Sequence, residues 1–518
     1  MRDVEPSPHD HLEKQVKRLQ ELWPRETGNR EHARFVDDIK TQLKKMQLEQ
    51  RPSLSIEVYS DTLRFERWCS TRCTLEVHRS GVTVASAYPY SGCTDTEDVE
   101  EALQLFRCGQ RHRWKDSAGK IAVIEVPYPS LPVELFLDEV GHLPASARPH
   151  DFLPPTYTYA HPVLAATVFG PDLAAAKAAG AKGVVAVWKG LTAAQAEGQY
   201  VPFTFPYQDI PAVWVACDES SELLESARRG DRATLKLKAT LSSSATTETV
   251  WAVVEGEGEI ASETVLVVTH TDGGNGVEEN GAIGVLDLVR MFATEPRPKR
   301  TLVFVFVTGH LRSTIGNQAT TEWLKAHPEW WSGKKKGDRR AVAGLVIEHL
   351  GALKKARPET GYEVELTYAT NAKMQEILEK CWADVGQKRK VLIARPGLIH
   401  LGEGEPLYKH RIPAIALASV PEYLLATTNV EIVDVNLMRE QIGAFACALR
   451  ELESYDAEQL GRAERGLIRK IRSVVQFLLF IARNRSLVFH LSAFMKAEIG
   501  ANLWGRKSLL TFVNTRPV

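Results

Sequence analysis

From Thr264 onward, apolar runs too continuous to face water on either side alternate with stretches whose apolar residues recur at helical spacing. The runs are TVLVVTH (264–270), TLVFVFV (301–307) and AGLVIEHL (343–350). The helical stretches are GVLDLVRMF (284–292), residues 319–326, and a later one carrying Met374, Ile377, Leu378, Cys381, Trp382 and Val385. A strand with no polar face must be covered on both sides, which restricts this half of the chain to an open, largely parallel or mixed sheet flanked by helices. In such sheets ligands bind off the carboxyl ends of the strands. The residues there are polar: His270 and Asp272, His310, Glu348 and His349.

The first half is less regular. Residues 10–48 read as two helices parted by the WPRETGN turn, with Phe35, Ile39, Leu43 and Met46 on one face of the second. Residues 53–91 read as three short strands, LSIEVYS, TLEVHRS and VTVASAYP, divided by the Cys69–Cys73 segment and Gly81. Residues 109–244 alternate strand, Ala-rich helix, Gly turn, strand, strand and helix, a compact α/β unit. At 518 residues the chain has room for several domains without disulfide or metal staples.

With 64 Lys and Arg against 65 Asp and Glu, the formal charge is -1, which argues against a protein built to coat nucleic acid or an anionic membrane. Seven thinly spread cysteines fit a reducing compartment, and Cys69 with Cys73 lacks the second ligand pair of a structural zinc site. The first residues contain no apolar stretch of the kind an export signal needs, so the expected location is the cytoplasm. SVVQFLLFIA (473–482) is half the roughly 20 residues needed to cross a bilayer and reads as a core or partner-facing helix. The basic run at 332–341 reads as a solvated loop.

The order HTD (270–272), NGAIG (280–284), TGHL (308–311), IEHLG (347–351), RIPAIAL (411–417) and EIVD (431–434) resembles the catalytic core of the di-zinc aminopeptidase and glutamate carboxypeptidase family. LWPRETGNREHARFVDDIK is similar to that family's opening helix, and GKIAVIEV, KAAGAKGVVAV and IPAVWVACDESSELLESARRGD to its protease-associated insert. The implied fold is α/β: a mixed, largely parallel sheet flanked by helices, an inserted protease-associated α/β domain and a C-terminal helical extension. The corresponding division is 1–108 for N-terminal helices and strands of the core, 109–247 for the insert, 248–455 for the α/β core and 456–518 for the extension.

The resemblance implies a zinc-binding His in a His-x-Asp, kept here as His270 and Asp272. It implies a bridging Asp four residues before Gly284, where this chain has Asn280; a shift of one residue would bring in Glu279. A general-base Glu and a ligand Glu are implied at the positions of His310 and Leu311. A ligand Asp is replaced by Glu348, and the last His ligand, after Tyr423, by Leu424. Leucine has no lone pair, so a two-zinc site is not expected.

Two readings of the site remain. In one, His270, Glu348 and His310 hold a single divalent metal, zinc first and iron second. In the other no metal binds; His310, an imidazole with an ordinary pKa of about 6.5, serves as the base, and His270 held by Asp272 as its acid or orienting partner. Asn280, Glu403, Glu405 and Tyr423 are the candidate substrate-binding residues, the two glutamates for a cationic or amine group.

The expected function is that of a repurposed aminopeptidase-like enzyme. It would carry out amide hydrolysis, cyclisation or a related reaction on a small amino-acid-like or peptide-like molecule, with His270, Asp272, His310 and Glu348 as its working set. The alternative is an inactive pseudo-peptidase used for binding. No nucleic-acid or membrane partner is expected, and a homodimer through the core or the C-terminal helices is.

Overall fold

The computed structural model describes residues 8–49, 56–78, 80–94, 98–106, 111–132, 137–143, 158–203, 205–312, 319–354, 361–383, 389–396, 400–428 and 432–484. Strand Glu263–His270 is flanked in parallel by Thr301–Val307 and Arg340–Ile347. Ala414–Leu417 extends the parallel set. Glu365–Ala369 pairs antiparallel with Ala414–Leu417 and parallel with Val391–Pro396, and Leu137–Leu143 pairs antiparallel with that last strand. The sheet is mixed with a parallel centre.

Both faces are buried, which is why these strands carry no alternating polar residues. Val265, Val267, Phe304 and Phe306 pack with Leu286 and Phe445 on one side, under helices Pro8–Glu21, Arg30–Glu49, Gly281–Thr294, Ala372–Cys381 and Val435–Leu452. Leu266, Val268, Val303 and Val305 pack with Trp323 and Leu407 on the other, under helices Ala319–Ala326 and Glu405–Lys409.

The segment expected to give three short strands behaves differently. Ile56–Val77 is one strand of 22 residues, running through Cys69–Cys73 and paired antiparallel along Arg232–Val254. Register shifts between Phe65 and Arg67 and between Ser70 and Arg72 absorb the irregularities that read as breaks. Its partner Arg232–Val254 joins the core at one end, pairing with Thr301–Val307, and Val99–Phe106 at the other. From there the sheet continues in parallel through Ile121–Pro127, Gly183–Lys189 and Ala212–Val215. The expected division at 247 therefore falls inside a single strand, and Leu137–Leu143, from the 109–247 segment, lies in the core sheet.

Helix Leu467–Arg483 docks Phe477 and Ile481 into the cluster that holds Phe169, Trp188 and Leu425. Residues 485–518 of the expected extension lie outside the described ones. Among the described residues, no helix is long and apolar enough to cross a membrane.

Candidate active site

The polar strand ends converge. His270 ends its strand, His310 follows Thr301–Val307, and Glu348 and His349 follow Arg340–Ile347. Glu278 comes from the turn before helix Gly281–Thr294, whose first residue has no room for a side chain: a Cβ at Gly281 would run into the carbonyl of Ile347.

The imidazoles of His270 and His349 are set in the same way. His270 donates from Nδ1 to the backbone carbonyl of Asp272 at 3.0 Å, and His349 from Nδ1 to that of Ser419 at 2.6 Å. Each ring thus keeps a lone pair at Nε2, and neither Nε2 has a hydrogen-bond partner among the protein's groups. Both are buried, and burial lowers their pKa, to about 4 for His270 and well below the ordinary value for His349. Glu348 accepts from the Glu403 N–H at 2.7 Å through Oε1, while its Oε2 has no partner. Gly402, at φ +74°, brings the backbone so close to this carboxylate that a Cβ there would overlap it. Burial, followed by the charge of Glu403, pushes the Glu348 pKa up to about 8.

His270, Glu348 and His349 place one donor atom each within 4.8 Å of one another, and so do His270, Glu278 and His310. Orphaned buried lone pairs converging from two imidazoles and a carboxylate are the donor set a divalent metal takes, so these residues fit one. Glu278 adds a carboxylate whose Oε2 has no hydrogen-bond partner and lies 4.0 Å from His349 Nε2.

His310 differs from the base expected at its position. Its ring stacks on His270 with centroids 4.2 Å apart, Nδ1 meets Glu403 Oε1 at 2.9 Å, and Nε2 lies 3.4 Å from Glu278 Oε1. Burial opposes its charge, but the two carboxylates outweigh that and hold its pKa well above the ordinary value. The two carboxylates thus favour its imidazolium over a free base. Glu403, expected to meet substrate, is fully buried and accepts from Thr320 N at 2.8 Å and Thr320 Oγ1 at 2.7 Å besides His310.

Other expected residues are occupied elsewhere. The Asp272 carboxylate does not hold the His270 ring; it accepts from Thr27 Oγ1, from Gly309 N at 3.2 Å and from Leu311 N at 2.9 Å. Asn280 both donates to and accepts from the backbone of Leu350, each at 2.7 Å, so its amide ties the helix start to the strand end. Glu279 pairs with the buried Arg25 delivered by the WPRETGN turn. Tyr423 donates its hydroxyl to Leu353 O at 2.6 Å, and Glu405 pairs with Lys409 at 3.1 Å. Leu311 and Leu424, where the resemblance implies ligands, are buried in one apolar cluster with Val277 and Leu425.

Neither any family model nor any curated protein matches the sequence. Solved structures do match in shape. BSAP, a zinc aminopeptidase from Bacillus subtilis, aligns with a TM-score of 0.58 at 15% identity over 89% of this chain and 99% of that one. The aminopeptidase of Aneurinibacillus sp. strain AM-1 gives 0.57 at 14% identity over 86% and 94%. A peptidase M28 precursor from Shewanella amazonensis gives 0.57 at 13% identity over 86% and 97%. With its mixed central sheet and the helices on both faces, the chain has a zinc aminopeptidase-like fold.

Proposed function

We propose that the protein is a single-metal hydrolase of amide bonds in small peptide-like or amino-acid-like molecules. The observation that carries this is the set of unpartnered donors on His270, Glu348 and His349, two of them imidazoles already turned by backbone carbonyls. A divalent ion there, zinc first, supplies Lewis acidity toward a substrate carbonyl. The chain's own contribution is His310, whose imidazolium is supported by Glu403 at Nδ1 and can pass the Nε2 proton to a leaving amine or to Glu278. Leu311 and Leu424 offer no ligand to a second ion, and the same two residues favour the non-catalytic binding reading as the alternative.

Elemental analysis of the purified protein decides between them. One zinc per chain, together with amide hydrolysis that His310→Ala abolishes, is the expected result. Two ions per chain would overturn the single-metal assignment. Absence of metal, with no turnover of a dipeptide and acyl-amino-acid panel, would leave the binding reading.

A further inference from the structure

The formal charge of -1 is the sum of two unlike parts. Residues 467–518 hold nine Lys and Arg and one Glu, a net +8, so the 466 residues before them carry -9. Helix Leu467–Arg483 opens this basic end and contains no acidic residue. Its inner face, Ser473, Val474, Phe477 and Ile481, is buried. On the other side Leu467, Ile468, Ile471, Val475, Leu478 and Leu479 are 45–83% exposed. At about 100° per residue these six span an arc of roughly 120°. Arg472 and Arg483 follow directly on one edge of the arc, and both are exposed.

We propose that this face seats on an anionic lipid surface, the helix lying in the headgroup region with its aliphatic arc inserted and its arginines against lipid phosphates. A helix of 17 residues with one face on the protein lies on a bilayer rather than spanning it. The arginines alone would suit nucleic acid, which offers nothing to six aliphatic side chains. A second copy would suit the aliphatic arc, but a two-fold contact would bring the positive rims of two helices together. An anionic lipid surface satisfies both features. The expectation of no membrane partner rested on the whole-chain charge, in which the acidic body cancels the basic end.

The test is flotation of the full chain with vesicles of phosphatidylcholine alone or with about a third phosphatidylglycerol. Partition is expected to rise about tenfold or more on the anionic vesicles and to fall in high salt. Ile471→Asp with Leu478→Asp should lower it at least about tenfold, and Arg472→Glu with Arg483→Glu should erase the preference for anionic lipid, both with unchanged circular dichroism. If the aspartate variant misfolds, the arginine variant decides alone. Equal partition on the two vesicle types, or binding that survives both substitutions, overturns the proposal. A dimer by light scattering that Ile471→Asp dissolves, without vesicle binding, would assign the face to a second copy instead.

Discussion

Glu348 and His349 are adjacent, and adjacent residues of an extended chain point to opposite faces of a sheet. The strand pattern puts both at a carboxyl end but does not turn both side chains to one site. The backbone does it: His349 has φ +56°, a left-handed conformation that costs a non-glycine residue roughly 1 kcal/mol or more and turns its ring back beside Glu348. Asparagine tolerates that conformation, so His349→Asn removes the donor and keeps the turn. Its zinc affinity, measured by competition with a chelating dye, should fall about a hundredfold or more, with urea stability held within about 1 kcal/mol. Wild-type affinity in this variant would remove His349 from the ligand set.

Asn280 shows the converse case, a position that spacing located and whose role contacts decide. Placing a carboxylate there with Asn280→Asp would face it with the Leu350 carbonyl that now accepts from Nδ2. Urea denaturation should show a loss of about 1–3 kcal/mol, and the variant should gain no second zinc because Leu311 and Leu424 remain. His310 was likewise found by position alone. Its upward pKa shift comes from Glu278 and from Glu403, the latter 93 residues away, a distance at which pattern is silent.

Among the elements, those buried on both faces were the most legible. TVLVVTH, TLVFVFV and AGLVIEHL are strands because no other arrangement hides every side chain. The long ribbon Ile56–Val77 was not legible as one strand, since it is half exposed, mixes polar and apolar residues and carries two register shifts.

A titrating cap joins another element to the loop after Ala414–Leu417. His161 caps helix Pro162–Phe169, accepting from Val163 N through Nδ1 at 3.2 Å and donating from Nε2 to Pro421 O at 3.0 Å. The bond at Nδ1 needs the neutral ring, and burial, outweighing the Pro421 bond that favours the charged one, lowers its pKa to about 4. Below about pH 6.5 the unfolded chain takes up a proton that the folded one refuses, so this contribution to stability falls as pH drops toward about 4, by up to ~3 kcal/mol, and is level below that. Asparagine can cap without titrating. Urea stability of His161→Asn should therefore decline less steeply with acid than that of the wild type; parallel declines would remove His161 as a source of acid sensitivity.

At the scale of the whole molecule, the site is where the acidic body concentrates its charge out of water. Asp272, Glu278, Glu279, Glu348 and Glu403 are all at most 1% exposed, and the cations that face them are Arg25 and His310. Such a cluster either binds protons or binds a cation, and the two outcomes leave different marks on global stability. A metal held by His270, Glu348 and His349 draws together two strand ends of the central sheet, and binding to the folded state alone stabilises it by about 2.7 kcal/mol at a hundredfold excess over Kd. Zinc should therefore raise the melting temperature by a few degrees and a chelator should lower it, an effect that His270→Ala abolishes. A melting curve indifferent to both zinc and chelator would mean that protons neutralise the carboxylates, and the pseudo-peptidase reading would then account better for an aminopeptidase-like fold with buried leucines at 311 and 424.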